Sequence, residues 1–428
     1  MSKDFDFDVA IIGGGPGGSA AASVLGRLGH HVVVLERDRF PRFHIGESQV
    51  PWLNEVLAEI GVSDAVAAAH FVEKWGASFA TSDGSVEQYA DFTQAFEVPT
   101  PQIFQVPRAE FDQILLAHAA QCGADVRHGV TVTGADFDDA GVTVTCKDET
   151  SDERRLRVRA IVDASGRAGF LGRRFGERRK DEVLRNIAVH RQYEGIPRPD
   201  GRRAGDIRMV TRDDRGWFWF IPISDTLMSV GAVVPQAIYN AQARPTPDET
   251  LAHFLAQTPA AARLVEDATP VTAACFDADY SYLHSCHAGN RFAIVGDAGA
   301  FLDPIFSTGV LLAMQSGIEA ARAMSAGLHG GDLGASAFAA YERRLVNRYQ
   351  HFRRFAIGFY DDSFRDLFFS RSSRFGVYQS VLSVLAGNWK PSLRTRVGIA
   401  LFFALVKLQR IVPLAPRLAI SPHSQDAQ

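Results

Sequence analysis

Short apolar runs, each closed by glycine or a carboxylate, set the pattern of this chain. Phe7 to Ile12 is apolar except for Asp8 and predicts a buried strand. Ser19 to Leu28, small and apolar, predicts a helix, and His31 to Leu35 predicts a second strand ending at Glu36. Trp75 to Ala80 predicts another strand, and Val106-Pro107-Arg108 leads into a helix running to Cys122. Val126 to Thr145 reads as two strands around a turn at Asp138-Asp139-Ala140-Gly141. Arg154 to Val162 alternates charged and apolar residues and enters Asp163-Ala164-Ser165-Gly166-Arg167. Ile207 to Val234 is strand-rich, and Phe292 to Val295 is a strand running into Gly296-Asp297-Ala298. From Thr308 onward the pattern is helical, with breaks. Strands alternating with helices, then a strand-rich stretch, predict an α/β protein with a second sheet beside the first.

The first strand ends in Gly13-Gly14-Gly15-Pro16-Gly17-Gly18. Gly13, Gly15 and Gly18 fit the G-x-G-x-x-G spacing of a dinucleotide site, in the βαβ order that such a site needs. Gly13 permits the tight turn, Gly15 lets backbone approach a pyrophosphate, and Gly18 lets helix pack on strand. The helix N-terminus offers free N–H groups to phosphate. Glu36, followed by Arg37, lies about 20 residues on and is placed to accept ribose hydroxyls.

The chain has 428 residues, enough for two or three structural units in one body. Its 46% hydrophobic and 22% charged content is that of a soluble globular protein, and a net charge of −4 carries no nucleic-acid signal. The four cysteines (Cys122, Cys146, Cys275 and Cys286) show neither C-x-x-C pairing nor metal-ligand spacing, so no metal is expected. They read as reduced thiols in a cytoplasmic protein. The acidic N-terminus has no signal-peptide pattern, and no stretch reaches the length of a membrane span.

With these motifs in place, the chain resembles the glutathione-reductase-type flavoproteins of the para-hydroxybenzoate hydroxylase class, and within them the flavin-dependent halogenases. The resemblance runs from Phe7 to about Phe369. It implies FAD as cofactor. Val295-Gly296-Asp297-Ala298-Gly299 is then the second nucleotide motif, with Gly296 at the flavin and Asp297 on ribityl or ribose hydroxyls or at a helix N-cap. Asp163 belongs to a D-x-x-G segment near FAD, Arg108 lies over the cofactor, and Ser48 closes a Gly46-Glu47-Ser48 loop beside it. Glu47 is either an acid behind the site or a loop-closing residue. The implied arrangement is an FAD domain over 1–75, 100–185 and 285–330, and a β-sheet substrate domain over 76–99 and 186–284. A helical region over 331–420 and a disordered tail over 421–428 follow.

Three features carry the halogenase resemblance. Trp217-Phe218-Trp219-Phe220-Ile221-Pro222 matches the W-x-W-x-I-P pattern, in which Trp217 and Trp219 hold substrate away from flavin. As a period-two strand it is equally a buried aromatic strand. Lys74, in Lys74-Trp75-Gly76, matches the active-site lysine, which either hydrogen-bonds hypohalous acid or, as a neutral amine, forms a haloamine. In Asp303-Pro304-Ile305-Phe306-Ser307-Thr308-Gly309, backbone groups of Ser307, Thr308 and Gly309 would hold chloride or bromide at the helix start. Phe306 stands where tryptophan halogenases carry a glutamate, so the resemblance implies electron-rich phenols or pyrroles, free or on a carrier protein, as substrates. It also implies a separate flavin reductase as partner. A hydroxylase, an isoprenoid-reducing flavoprotein and an inactive flavin-binding homologue are the alternatives.

The C-terminal region has two readings throughout. Aromatics from Tyr341 to Phe369 line a pocket or fill a core. Arg343, Arg344, Arg348, Arg353 and Arg354 form a solvated face or a dock for an acidic carrier protein. Val397 to Leu414 is an amphipathic helix packed on the body, or one that touches a membrane surface or a partner.

Overall fold

The computed structural model describes residues 4–150, 152–241, 246–277, 281–370 and 376–418. The expected disordered tail, 421–428, lies outside the described residues. The architecture is α/β, with two large sheets and a helical C-terminal region.

The first sheet runs in the order Ala288–Gly289, Phe292–Ile294, Glu153–Asp163, Phe7–Ile12, Val32–Glu36, Asp125–His128. Its central strands are parallel and covered on both faces, which is why they read as continuous apolar runs. Glu153–Asp163 serves two environments. Its first half pairs antiparallel with Val142–Lys147 and is largely exposed. Its second half lies parallel between Phe7–Ile12 and Phe292–Ile294 and is buried. The change from charged alternation to Ala160-Ile161-Val162 marks that passage. Three strands, not two, occupy the stretch after Gly123: Asp125–His128 joins the parallel sheet, and the hairpin is Thr131–Phe137 with Val142–Lys147. The apolar content of Asp125–His128 is one valine, too little for periodicity to reveal a strand.

The glycine-rich turn feeds helix Pro16–Arg27, which packs on the long helix Gly309–Gly330. Contact is close enough that a Cβ on Gly317 would overlap the Gly17 carbonyl oxygen. A Cβ on Gly18 would likewise overlap the Gly13 carbonyl oxygen, and Gly13 itself has φ +99°.

The second sheet runs Thr269–Pro270, Asn186–Glu194, Leu227–Pro235, Trp217–Pro222, Ile207–Thr211, Gly76–Ala80, Glu87–Asp91. The tryptophan strand is central and buried along its length. Trp217, Trp219 and Ile221 join the main core, whereas Phe218 and Phe220 join a separate core with Leu251 and Phe254. The alternation of the aromatic residues is therefore an alternation between two cores. Helices Ala335–Phe359, Asp362–Phe369, Val377–Leu385 and Leu393–Gln409 close the molecule, and their aromatic residues, Tyr341, Phe352, Phe355, Phe364 and Phe368 among them, are core.

Candidate functional site

A cavity of about 840 Å³ is lined by the strand ends of the first sheet and by Trp217, Trp219 and Ile221 of the second. Its walls include Gly13, Gly15, Glu36, Arg37, Ser48, Arg108, Gly296, Asp297, Ser307 and Gly309. The glycines divide by what surrounds them. A Cβ on Gly15 would find only the Arg42 side chain, at 3.6 Å, and one on Gly309 nothing within 4 Å. These two face open space, as a cradle for a phosphate and an anion needs. Gly18 does not line the cavity; its small size shapes the turn that does.

Glu36 is buried and fixed by two backbone donors, Gly14 N at 2.6 Å and Asp38 N at 2.8 Å. Arg108 opens helix Arg108–Gln121, where its guanidinium donates two hydrogen bonds to Asp112, at 2.8 and 2.9 Å, and a third to Ile45 O at 2.8 Å. Arg42 reaches the same Asp112 carboxylate at 3.1 Å. The fork thus pins the loop before Glu47 and Ser48. Asp297 lies at the cavity wall, where burial raises its pKa to about 6 against the opposing pull of Arg167, Arg108 and Arg178. A half-buried carboxylate near guanidinium groups and facing open space suits a ligand rich in hydroxyls.

Direct cofactor contact by Asp163 is corrected. Its carboxylate is fully buried outside the cavity and accepts from Ser165 N at 3.0 Å and Leu171 N at 2.6 Å. It shapes the Ala164–Ala168 loop, which lines the cavity in its place.

Thr308 is buried behind the cavity as N-cap of helix Gly309–Gly330. Ser307 before it adopts φ +56°, turning the chain so that Ser307 and Gly309 line the wall. Phe306 is buried edge-on against Phe359, with ring centroids 5.8 Å apart, in the position expected to lack a carboxylate.

Lys74 does not line the cavity. It ends the short strand Val72–Lys74 and is buried, with Nζ donating to Ser48 Oγ at 2.8 Å and Gln49 O at 2.7 Å. Burial lowers its pKa to about 7, and Asp206 only partly opposes that. Ser48 is therefore shared: it lines the cavity on one side and holds the lysine on the other.

Glu47 also lines the cavity, and its Oε2 is buried without a hydrogen-bond partner. Burial pushes its pKa up to about 7 despite a hydrogen bond from Ser229 and the nearby His190. The G-E-S motif marked the segment but not this carboxyl's isolation. Trp219 Nε1 donates to Ser229 Oγ at 3.2 Å. Trp217 Nε1 donates to Tyr360 OH at 2.8 Å, and Tyr360 OH donates to Asp303 Oδ2 at 2.9 Å. Asn186 Nδ2 also donates to that oxygen, at 2.8 Å. Sequence reasoning missed this network, and also Arg42, Arg167 and Arg178. Only Arg167, inside the D-x-x-G segment, carried a local signal.

Several cations of the Arg343–Arg354 stretch, expected to form a solvated face or a carrier dock, are engaged within the molecule. Arg344 and Arg348 pair with Glu319, Arg353 pairs with buried Asp181, and the Arg354 guanidinium stacks on Phe403 at 3.6 Å. These contacts tie helix Ala335–Phe359 to helix Gly309–Gly330, to the Asp181 loop and to helix Leu393–Gln409, while Arg343 stays exposed. Among the described residues there is no His/Cys/Asp/Glu cluster fit to hold a metal, and no helix long and apolar enough to cross a membrane.

Comparison with known proteins bears on the same residues. The FAD binding domain family matches 6–355. A 1H-pyrrole-2-carbonyl-[peptidyl-carrier protein] chlorinase of Pseudomonas fluorescens is 33% identical over 384 residues, covering 84% of each chain. Among solved structures, the flavin-dependent brominase Bmp2 aligns with a TM-score of 0.83 at 27% identity, covering 94% of this chain and all of that one. The myxobacterial chondrochloren halogenase CndH aligns with a TM-score of 0.79 at 32% identity, over 93% and 97% of the two chains. With the FAD binding domain match and halogenase relatives over most of its length, and with a tryptophan face and a buried lysine beside the cavity, this chain belongs to the flavin-dependent halogenases and is an FAD enzyme of that family.

Proposed function

We propose that the protein halogenates an electron-rich aromatic ring, a phenol or pyrrole, free or tethered to a carrier protein. The observation that carries this reading is Lys74: a buried amine near neutrality, held by Ser48 directly behind the cavity wall. Reduced FAD, delivered by a separate reductase, supplies with oxygen the oxidising equivalents that turn chloride or bromide into hypohalous acid. Gly13, Gly15, Glu36, Arg37, Arg108, Gly296 and Asp297 would hold the cofactor. Ser307 and Gly309, with Thr308 as cap, would hold the halide at a helix N-terminus. Trp217 and Trp219 close the second-sheet side and keep the ring from the flavin. Lys74 takes the oxidant through its ammonium or its neutral amine and presents it to the ring.

Phe306 leaves no carboxylate beside Ser307, which supports a ring reactive enough to need none. The carrier-tethered alternative draws on the pyrrole chlorinase relative. The test combines the protein with FAD, a flavin reductase, NADH, oxygen and a panel of phenols and pyrroles, free and carrier-bound. Mass spectrometry is expected to show a halogen isotope pattern that requires chloride or bromide and is lost in Lys74→Ala. A product gaining only oxygen, indifferent to halide, would overturn the proposal.

A further inference from the structure

The outer face of helix Leu393–Gln409 has no part in the halogenation site. Its inner face is fully engaged. Phe402 packs on Phe364 at 5.0 Å, Gly398 lies against Ser380, and Gln409 Nε2 donates to Asp366 at 3.0 Å. Gln409 Oε1 accepts from Leu414 N at 2.7 Å and Ala415 N at 2.9 Å, which folds the following segment back onto the body. At the start of the helix, Glu97 accepts from Ser392 N at 3.0 Å and Thr395 Oγ1 at 3.0 Å. The element is thus rigidly fixed at both ends.

Its other side faces outward with aliphatic groups. Leu393 is 79% exposed, Val397 59%, Leu408 43% and Ile411 79%, and Leu401, Val412 and Leu414 are exposed with them. At about 100° per residue, Leu393, Val397, Ala400, Leu401, Ala404 and Leu408 form one band along the helix axis. Arg394, its guanidinium stacked on Phe96 at 3.9 Å, borders the band on one side; Arg396, whose Nε donates to Pro391 O at 2.9 Å, and Lys407 border it on the other. Between Asp366 and Asp426 the sequence contains no Asp or Glu, but it contains Arg371, Arg374, Lys390, Arg394, Arg396, Lys407, Arg410 and Arg417. Three acids outside this stretch touch the helix or its ends: Glu97 at its start, Asp366 on Gln409, and Asp361, paired with Arg410 at 2.6 Å.

We propose that this face lies in the headgroup layer of an anionic membrane surface, as an in-plane amphipathic helix. An aliphatic band edged by Lys407 and Arg396, with Arg394 on its far side, matches a bilayer boundary: the band enters the acyl layer, and Lys407 and the remaining N–H groups of Arg396 reach up to phosphates. Charge argues against a second copy, because a two-fold contact would bring a face of this one sign against itself. It argues less well for an acidic carrier protein, whose carboxylates would meet the aliphatic band at its centre.

The experiment is vesicle flotation of the full-length FAD-loaded protein. Vesicles are phosphatidylcholine alone, or phosphatidylcholine with phosphatidylglycerol as the minor component. The protein is expected to float only with the anionic vesicles and to be released by salt. Lys407→Glu, which removes one cation and adds an anion, should weaken partitioning by roughly fivefold or more. Val397→Glu and Leu408→Glu should weaken it about tenfold or more. All three sites are exposed, and bound-FAD absorbance with a thermal melt establishes that each variant is folded. Absence of flotation would overturn the proposal, as would flotation unchanged in the variants. A dimer broken by Val397→Glu in light scattering, without vesicle binding, would assign the face to self-association. Binding to an acidic carrier protein in place of vesicles would assign it to that partner. Flotation does not depend on halogenation, so failure of one reading leaves the other standing.

Discussion

A charged lysine has three N–H directions and a neutral one has two plus a lone pair. Lys74 has two acceptors, Ser48 Oγ and Gln49 O. Either form keeps both hydrogen bonds: the neutral amine leaves a lone pair over, and the ammonium leaves a third N–H and faces the Phe92 ring at 5.5 Å. Glu47 makes a measurable counterpart on the cavity side. Its folded-state pKa, about 7, lies above the ordinary value of 4.5, so the folded protein holds this proton more tightly than the unfolded chain. The resulting stabilisation is complete below about 4.5 and is lost as pH rises through about 7. In flavin-free protein, Glu47→Gln keeps a neutral group at every pH. The stability of wild type relative to this variant is expected to fall by roughly 3 kcal/mol across that window. Denaturant titrations at a series of pH values would read it, and a difference constant with pH would show an ordinary carboxyl. Lys74 and Glu47 were both legible as motif members. Their isolation from water was not, because burial of a single polar residue is decided by strands far away in sequence.

Glycine shows most plainly what local pattern can and cannot reveal about the elements. The six-residue Gly13–Gly18 segment announces a nucleotide turn, but its members differ in what fixes them. Gly17 and Gly317 set the distance between two helices, whereas Gly15 and Gly309 leave room for something else. Gly317→Ala is therefore expected to cost roughly 1–3 kcal/mol of stability, because the added methyl meets backbone. Gly309→Ala should stay within about 0.5 kcal/mol of wild type in flavin-free protein and yet weaken FAD or halide binding. Thermal melts paired with flavin titrations separate the two, and equal losses of stability would refute the distinction. The strand pattern was legible where burial was one-sided or complete. It failed at Asp125–His128, which is recruited by its neighbour Val32–Glu36 rather than by its own apolar content.

At the scale of the molecule, the site is a joint between sheets. Two strands of the second sheet, the Asp303 loop and the C-terminal helices meet through Trp217, Asn186, Asp303 and Tyr360. Sequence separations of 57 to 143 residues hide such a joint, and they also hide the difference between an arginine that faces solvent and one that pairs with Glu319. The wall between the cavity and Lys74 also has a consequence for durability. Trp217 and Trp219 line the space where oxidant is made, and an indole is itself an electron-rich ring. Oxidant that misses the Ser48–Lys74 handover therefore meets the enzyme's own tryptophans. On the proposed function, the catalyst would wear by its own chemistry, with a working life set in turnovers rather than hours. Halogen mass on the peptide carrying Trp217 and Trp219 should accumulate with turnover and rise faster in Lys74→Ala, and clean indoles after prolonged reaction would show that the wall leaks nothing.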